Sequence, residues 1–238
     1  MILKKLISTL KDSVFSPVYH LVAEYIEIEI DEVLENNVLQ EIPVMNTIST
    51  AYKVGLNIRE RNLAKQTLAF LRGFNNGSIS QEQLDAHREK LESNPDKLEQ
   101  ELSRIIIILD EHIETMQSQI LGTFYLSYVK SAISWDKFRE LSEANRKMFF
   151  CDYKILREAT LNDGLMTTDC KLYQVDRLIS LGLLNNNNRL GRSVSIIPVT
   201  ASKHSKDILL TSFGKTFYQH LPQSLKSVSY THLRAHET

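Results

Sequence analysis

The run from Pro95 to Ser131, PDKLEQELSRIIIILDEHIETMQSQILGTFYLSYVKS, constrains this chain more than any other stretch. Leu98, Leu102, Ile105, Ile106, Leu109, Ile113, Met116, Ile120, Phe124 and Tyr128 recur at steps of three and four, the period of one apolar helix face. Asn94 is the expected N-cap and Pro95 the first helical residue, where a proline sacrifices no hydrogen bond. Asp96, Glu99 and Glu101 lie near the positive end of the helix dipole, where acids are favoured. A single helix of this extent would run about 50 Å. Such a helix is not stable alone, so the stripe predicts a bundle of other helices covering it. Gly122 marks a bend or a close crossing with a second helix. Ile105 to Leu109 is apolar all round, which predicts burial on more than one side. The run is far too short to cross a bilayer.

With 238 residues and 42% hydrophobic content, the chain can bury a real core and does not have a disordered composition. Two cysteines, Cys151 and Cys170, are too few for a disulfide framework and agree with a reducing, cytoplasmic compartment. The start, MILKKLISTLKDSVFSP, lacks the continuous apolar run of a signal peptide. Ile2, Leu3, Leu6, Ile7 and Leu10 instead share one face of an amphipathic helix. The net charge of −1 hides a division. Residues 1–135 carry 13 Lys and Arg against 19 Asp and Glu, and residues 136–222 carry 13 against 9. Two partners of different charge, or an attraction between the halves, account equally for that split.

Ser16-Pro17 signals a helix start. Val18 to Glu35 alternates like a strand over Ile26, Ile28 and Ile30, but its longer helical stripe favours a helix ended by Asn36-Asn37. The acids there, from Glu24 to Glu41, read as a solvated face, since their spacing fits no calcium loop. Ile42 to Ile58 reads as a helix buried in the bundle, with a membrane-surface segment as the alternative. A further helix follows, with Leu63, Leu68, Phe70, Leu71 and Phe74 on its stripe and Asn75-Asn76-Gly77 as its stop. Ser80 opens a short helix with a capping box. Beyond the long helix, Ser134 caps one helix and Asp152 the next, and Asn162-Asp163-Gly164 is a turn.

Leu172 to Leu221 is the most informative region. Leu172, Val175, Leu178, Ile179 and Leu181 form a short amphipathic helix closed by Gly182. Asn185 to Asn188 reads as a polar turn, and Val194–Val199 and Ile208–Leu210 as the strands of a hairpin. Thr211 caps a last helix. The patterns VDRLISLGLL and ILLTSFGKTF resemble the C-terminal half of winged-helix domains, most closely regulators of the multiple-antibiotic-resistance type. The matched residues are Leu178, Leu181, Gly182, Leu183, Leu184, Leu210, Thr211 and Gly214, over about fifty residues. In that family the helix before the glycine enters the DNA major groove and the wing touches the backbone. The resemblance places Lys171, Tyr173, Gln174 and Arg177 on the contact helix, and Arg189, Arg192, Lys203 and Lys206 in or beside the wing. Asp169 and Asp176 depart from a base-reading helix, and the family's acidic-Arg wing pattern is absent.

More broadly, Ile42-Pro43, the basic stretch Arg59–Lys65 and Phe70-Leu71 resemble uncharacterised bacterial helical proteins that carry such a module, some of them associated with phage defence or membrane-linked immunity. Val228 to Thr238, VSYTHLRAHET, resembles translated sequencing-adapter sequence and is excluded from the fold.

No phosphate loop, nucleophile elbow or zinc motif occurs. Asp110, Glu111, His112 and Glu114 do not supply the facing Glu-x-x-His pairs of a di-iron bundle, and His112 reads as an exposed helix residue. The expected fold is mainly α: a helical N-terminal bundle with a long central helix, and a small winged-helix-like α+β module with a β-hairpin. Its expected domains are residues 1–134, 135–222 and a non-native or disordered tail, 223–238. The expected function is non-enzymatic, without cofactor or metal, through contact with a protein partner. A DNA-binding regulator and a peripheral membrane protein of defence or immunity are the alternatives, and a homodimer is open.

Overall fold

The computed structural model describes residues 2–15, 42–51, 58–76, 79–166, 170–187 and 206–227. Among them the chain is mainly helical and divides into two compact units, Met1–Arg146 and Lys147–Thr238. The helix that the sequence reading placed first in the C-terminal module, Trp135–Arg146, belongs to the first unit. The charge division survives that shift. The first unit carries 16 Lys and Arg against 22 Asp and Glu, and the second 12 against 7.

The first unit contains α1 (Ile2–Phe15), α2 (Pro43–Ala51), α3 (Ile58–Asn75), α4 (Gln81–Glu92), α5 (Pro95–Glu111), α6 (Thr115–Val129) and α7 (Trp135–Arg146). Local signals set several boundaries as expected. Ser80 accepts from the Gln83 amide at 3.2 Å, Asn94 from Lys97 at 3.1 Å and Ser134 from Lys137 at 3.1 Å. Each satisfies an amide that the first helical turn leaves without a partner. Pro95 sits at the first helical position.

From Pro95 to Val129 the chain is helical except at His112–Glu114, where the backbone turns extended and divides it into α5 and α6. The apolar stripe runs across this break, so periodicity alone reads one helix where there are two. Burial also falls differently from the expectation. Ile107, inside the all-apolar run, is 55% exposed. The helix surrounded on several sides is α6, with Ile120, Leu121, Phe124, Tyr125, Leu126, Tyr128 and Val129 all buried.

The dominant packing is α3 against α6. Ser118 meets Gln66, and Gly122 meets Phe70, so the two helices run in the same sense. They cross at backbone contact. A Cβ built on Gly122 would lie 2.1 Å from the Phe70 carbonyl oxygen, and one on Gly73 would lie 1.9 Å from that of Gln119. Gly122 is therefore the close crossing, not a bend. Around this pair, α1 packs on α2, α3, α4 and α5. Leu6, Ile7, Leu10, Val14 and Phe15 of α1 are buried in the bundle. Ser13 accepts from the Val44 amide at 3.1 Å and ties α1 to α2. Val44, Met45 and Ile48 are buried, as expected of a bundle helix. Val18 to Glu35 lies outside the described residues.

The second unit contains α8 (Phe150–Leu161), α9 (Leu172–Ser180), β1 (Leu184–Asn186), β2 (Ile208–Leu210), α10 (Ser212–Gln219) and α11 (Gln223–Ser227). It is a small α+β region with a β-hairpin. β1 and β2 pair antiparallel, Leu184 opposite Leu210 and Asn186 opposite Ile208. Leu165 bridges the other side of β2 at Ile208. The stretch read as a polar turn thus supplies the strand. Leu184 points into the core, 2% exposed, while Asn185 faces out, so only one side of this short strand had to be apolar. Val194–Val199 lies outside the described residues. Gln223–Ser227, expected in the tail, is a helical turn, and Arg157 donates to the Lys226 carbonyl at 3.2 Å.

Replacing an exposed helical glycine by alanine stabilises by about 1 kcal/mol. At Gly122 the backbones must part, and overpacking of that kind costs about 1–3 kcal/mol or more. Gly122→Ala and Gly73→Ala are each expected to lower stability by about 2 kcal/mol in urea titrations. An unchanged or raised midpoint would show that the crossing is loose.

Candidate functional site

The matched winged-helix residues form one joint. Gly182 turns the chain after α9 with φ +74°, which a side chain would disfavour. The Thr211 amide donates to the Leu183 carbonyl at 3.1 Å, and its hydroxyl accepts from the Gly214 amide at 2.9 Å, capping α10. A Cβ on Gly214 would come within 2.0 Å of the Leu183 carbonyl oxygen. The motif residues hold α9, β1, β2 and α10 together. They specify a fold, and contact chemistry belongs to the surface of α9.

Lys171 precedes α9 and is exposed, Tyr173 is 61% exposed, and Lys206 is exposed ahead of β2. Gln174 is buried at 8% exposure. Arg189, Arg192 and Lys203 lie outside the described residues. Arg177 is engaged inside the unit. Its Nε donates to Asp152 Oδ2 at 2.8 Å and its Nη2 to Oδ1 at 2.7 Å, a bidentate pair. The guanidinium also lies 4.6 Å over the Phe149 ring. Asp152 is fully buried, and its Oδ2 also accepts from the Phe149 amide at 2.7 Å. It therefore caps α8 as expected, but from the third helical position. The bond to Asp152 comes first among the causes that raise the Arg177 pKa. α9 presents Lys171, Leu172, Tyr173, Asp176 and Ser180 outward.

Sequence reasoning missed two buried polar clusters in the first unit. Glu101, expected near the positive end of a helix dipole, is 2% exposed. Tyr125 donates to its Oε1 at 2.8 Å and Tyr128 to its Oε2 at 3.0 Å, while His87 Nε2 stands 3.2 Å from Oε1. Burial first, and then the Glu101 charge, push both tyrosine pKa values up. The rings of Phe15, Phe70, Phe74, Phe138 and Trp135 pack around the cluster. A shallow groove beside it, about 570 Å³, is lined by Asn94, Asp96, Lys97, Gln100, Glu101 and Trp135. Both carboxylate oxygens of Glu101 are engaged, so the cluster anchors α4, α5 and α6 to one another. Only the i+3 and i+4 steps from Glu101 to its neighbours were legible in sequence, and those pointed to a helix face without saying which way it turned.

The second cluster surrounds His112, read as exposed and in fact 1% exposed. Its Nδ1 lies 2.8 Å from Ser118 Oγ, which lies 2.7 Å from Gln66 Oε1. Asp110 and Glu111, its neighbours in sequence, pair elsewhere, with Arg59 and Arg146. The acids near His112 do not converge. Among the described residues, no group of three or more His, Cys, Asp or Glu is placed to hold a metal ion, and no helix is long and apolar enough to cross a membrane.

No protein-family profile, curated protein or solved structure matches the chain.

Removing one partner of a buried ion pair leaves the other charge uncompensated, which costs about 3–5 kcal/mol. Arg177 is partly open to water, so Arg177→Ala is expected to lower the stability of the second unit by about 2–3 kcal/mol. Glu101→Ala strands two buried hydroxyls and is expected to cost about 3 kcal/mol. Thermal and denaturant unfolding of the two variants check both figures, and a loss below about 0.5 kcal/mol would contradict either.

Proposed function

We propose that this is a non-enzymatic protein whose C-terminal winged-helix-like unit contacts a protein partner through the outward face of α9. The composition of that face carries the reading. Leu172 and Tyr173 are 58% and 61% exposed, beside Lys171, Asp176 and Ser180. One cation and one anion leave the face near neutral, with two large apolar side chains open. Aromatic and aliphatic anchors with few charges at the centre characterise protein interfaces. DNA requires the opposite, a surface of cations that displace counterions from phosphates. Arg177, the cation best placed for that task on α9, is held by Asp152. The reading places the chain in the cytoplasm, where thiols such as Cys151 and Cys170, neither of them in a disulfide, stay reduced.

The basic excess of the second unit favours a DNA-binding regulator as the second reading. Fluorescence anisotropy of the full chain against a labelled duplex, over a salt series, separates the two. The expected dissociation constant is weaker than about 10 μM at physiological salt, the range of non-specific contact. Submicromolar binding that weakens steeply with salt would replace the protein-partner reading. In cells that express the full chain, a photo-crosslinker at Tyr173 is expected to trap one discrete protein, and Leu172→Asp to abolish the adduct without lowering the melting temperature.

A further inference from the structure

His112, Ile113 and Glu114 interrupt the helical ladder, so the carbonyls of the first two need partners from elsewhere. α3 supplies them. Asn62 Nδ2 donates to the His112 carbonyl at 2.8 Å, and Gln66 Nε2 to the Ile113 carbonyl at 2.9 Å. This clasp fixes every proton near the ring. The Ile113 carbonyl only accepts, so the Gln66 atom facing it is nitrogen and the other is oxygen. Ser118 therefore donates its single proton to Gln66 Oε1, and His112 Nδ1 must donate to Ser118 Oγ. The remaining nitrogen, Nε2, carries a bare lone pair in the neutral ring. It is buried and has no hydrogen-bond partner.

A proton added at Nε2 would thus create a buried cation whose new N–H has nothing to donate to. The surroundings offer little compensation. From α3, Asn62 and Gln66 are uncharged, and Arg59 is paired with Asp110. From α6, Gln117 and Ser118 are uncharged. From α7, Arg146 repels a second cation, although Glu143 and Glu111 pair with it. On the segment itself, Glu111 and Glu114 are exposed. The C-terminus of α5 favours a cation, but burial outweighs it and, with Arg146, pushes the His112 pKa down to about 4.

We propose that this joint is a proton-sensitive latch: protonation of His112 releases the α3 clasp on residues 112–113 and opens the segment between α5 and α6, while the α3–α6 crossing stays packed. The open form takes up the proton near the ordinary imidazole value of 6.5, and the closed form only near 4. The latch is therefore fully closed above about 6.5 and weakens as pH falls towards 4. The crossing resists because Leu68, Phe70, Leu71, Ile120, Leu121 and Phe124 there are buried and apolar.

Hydrogen exchange by mass spectrometry on the full chain, corrected for the intrinsic pH dependence of exchange, tests this. Protection over residues 112–118 is expected to fall tenfold or more between about pH 6.5 and 4.5, while residues 68–74 and 120–126 keep theirs. His112→Phe fills the ring site without a titratable nitrogen and is expected to remove this pH dependence. Simultaneous loss of protection over the joint and the crossing would overturn the latch as a local device. The same opening in His112→Phe would assign it to other groups. Should that variant fail to fold, the carbon shifts of His112 in the native chain decide. Titration near 6.5 in the closed protein overturns the proposal, and a neutral ring down to about 4, with protection of 112–118 lost as it titrates, upholds it.

Discussion

Backbone contact between α3 and α6 governs the first unit. Packed helices ordinarily keep their axes about 8–10 Å apart, a distance set by the side chains between them. Gly73 and Gly122 remove those side chains where the two helices meet, so carbonyl groups of each face the bare Cα of the other. That approach brings Phe70 and Phe74 to within ring contact of Tyr125. Tyr125 can then reach Glu101 on α5, and through it His87 on α4. The polar cluster that joins α4, α5 and α6 depends on how closely α6 crosses α3.

The second unit uses the same device on a smaller scale. Gly214 lies against the Leu183 carbonyl because no Cβ intervenes, and Thr211 joins the two through its amide and hydroxyl. This explains why the winged-helix pattern is legible as a few small and apolar residues at fixed spacing. They are the ones that let a helix, a hairpin and a second helix converge. The same pattern says nothing about contact chemistry. Arg177 has the place of a contact residue on α9, yet its charge is taken by Asp152, which faces it from α8.

Three sequence readings failed for related reasons. The helix through Pro95–Ser131 was drawn without a break because its apolar period continues beyond His112, and a period records only which face is wet. Asn185 and Asn186 were read as a turn on composition, but backbone pairing with β2 needs no particular side chain, and Asn185 faces out. His112 was read as exposed because an imidazole is seldom fully buried unless partnered, and nothing in the sequence marked Glu101 as buried. Their partners, Tyr125 and Tyr128 for one and Ser118 and Gln66 for the other, were already present in the sequence, but nothing local paired them.

What the sequence by itself determined is whatever one turn of chain can decide. Ser80, Asn94, Ser134 and Thr211 cap their helices through amides three residues away, and Gly182 turns the chain because it lacks a Cβ. The helical period, the mainly α class, the small α+β C-terminal unit and the charge division belong to the same order of information. Only the tertiary structure decided where α5 ends and α6 begins, which glycine meets Gln119, and which charges are buried. Those outcomes turn on desolvation, whose cost a partner offsets. For His112 the clasp comes from Asn62 and Gln66, and for Asp152 it comes from Arg177. Such partners lie a helix or more away along the chain, and the packing of the apolar faces is what brings them within reach.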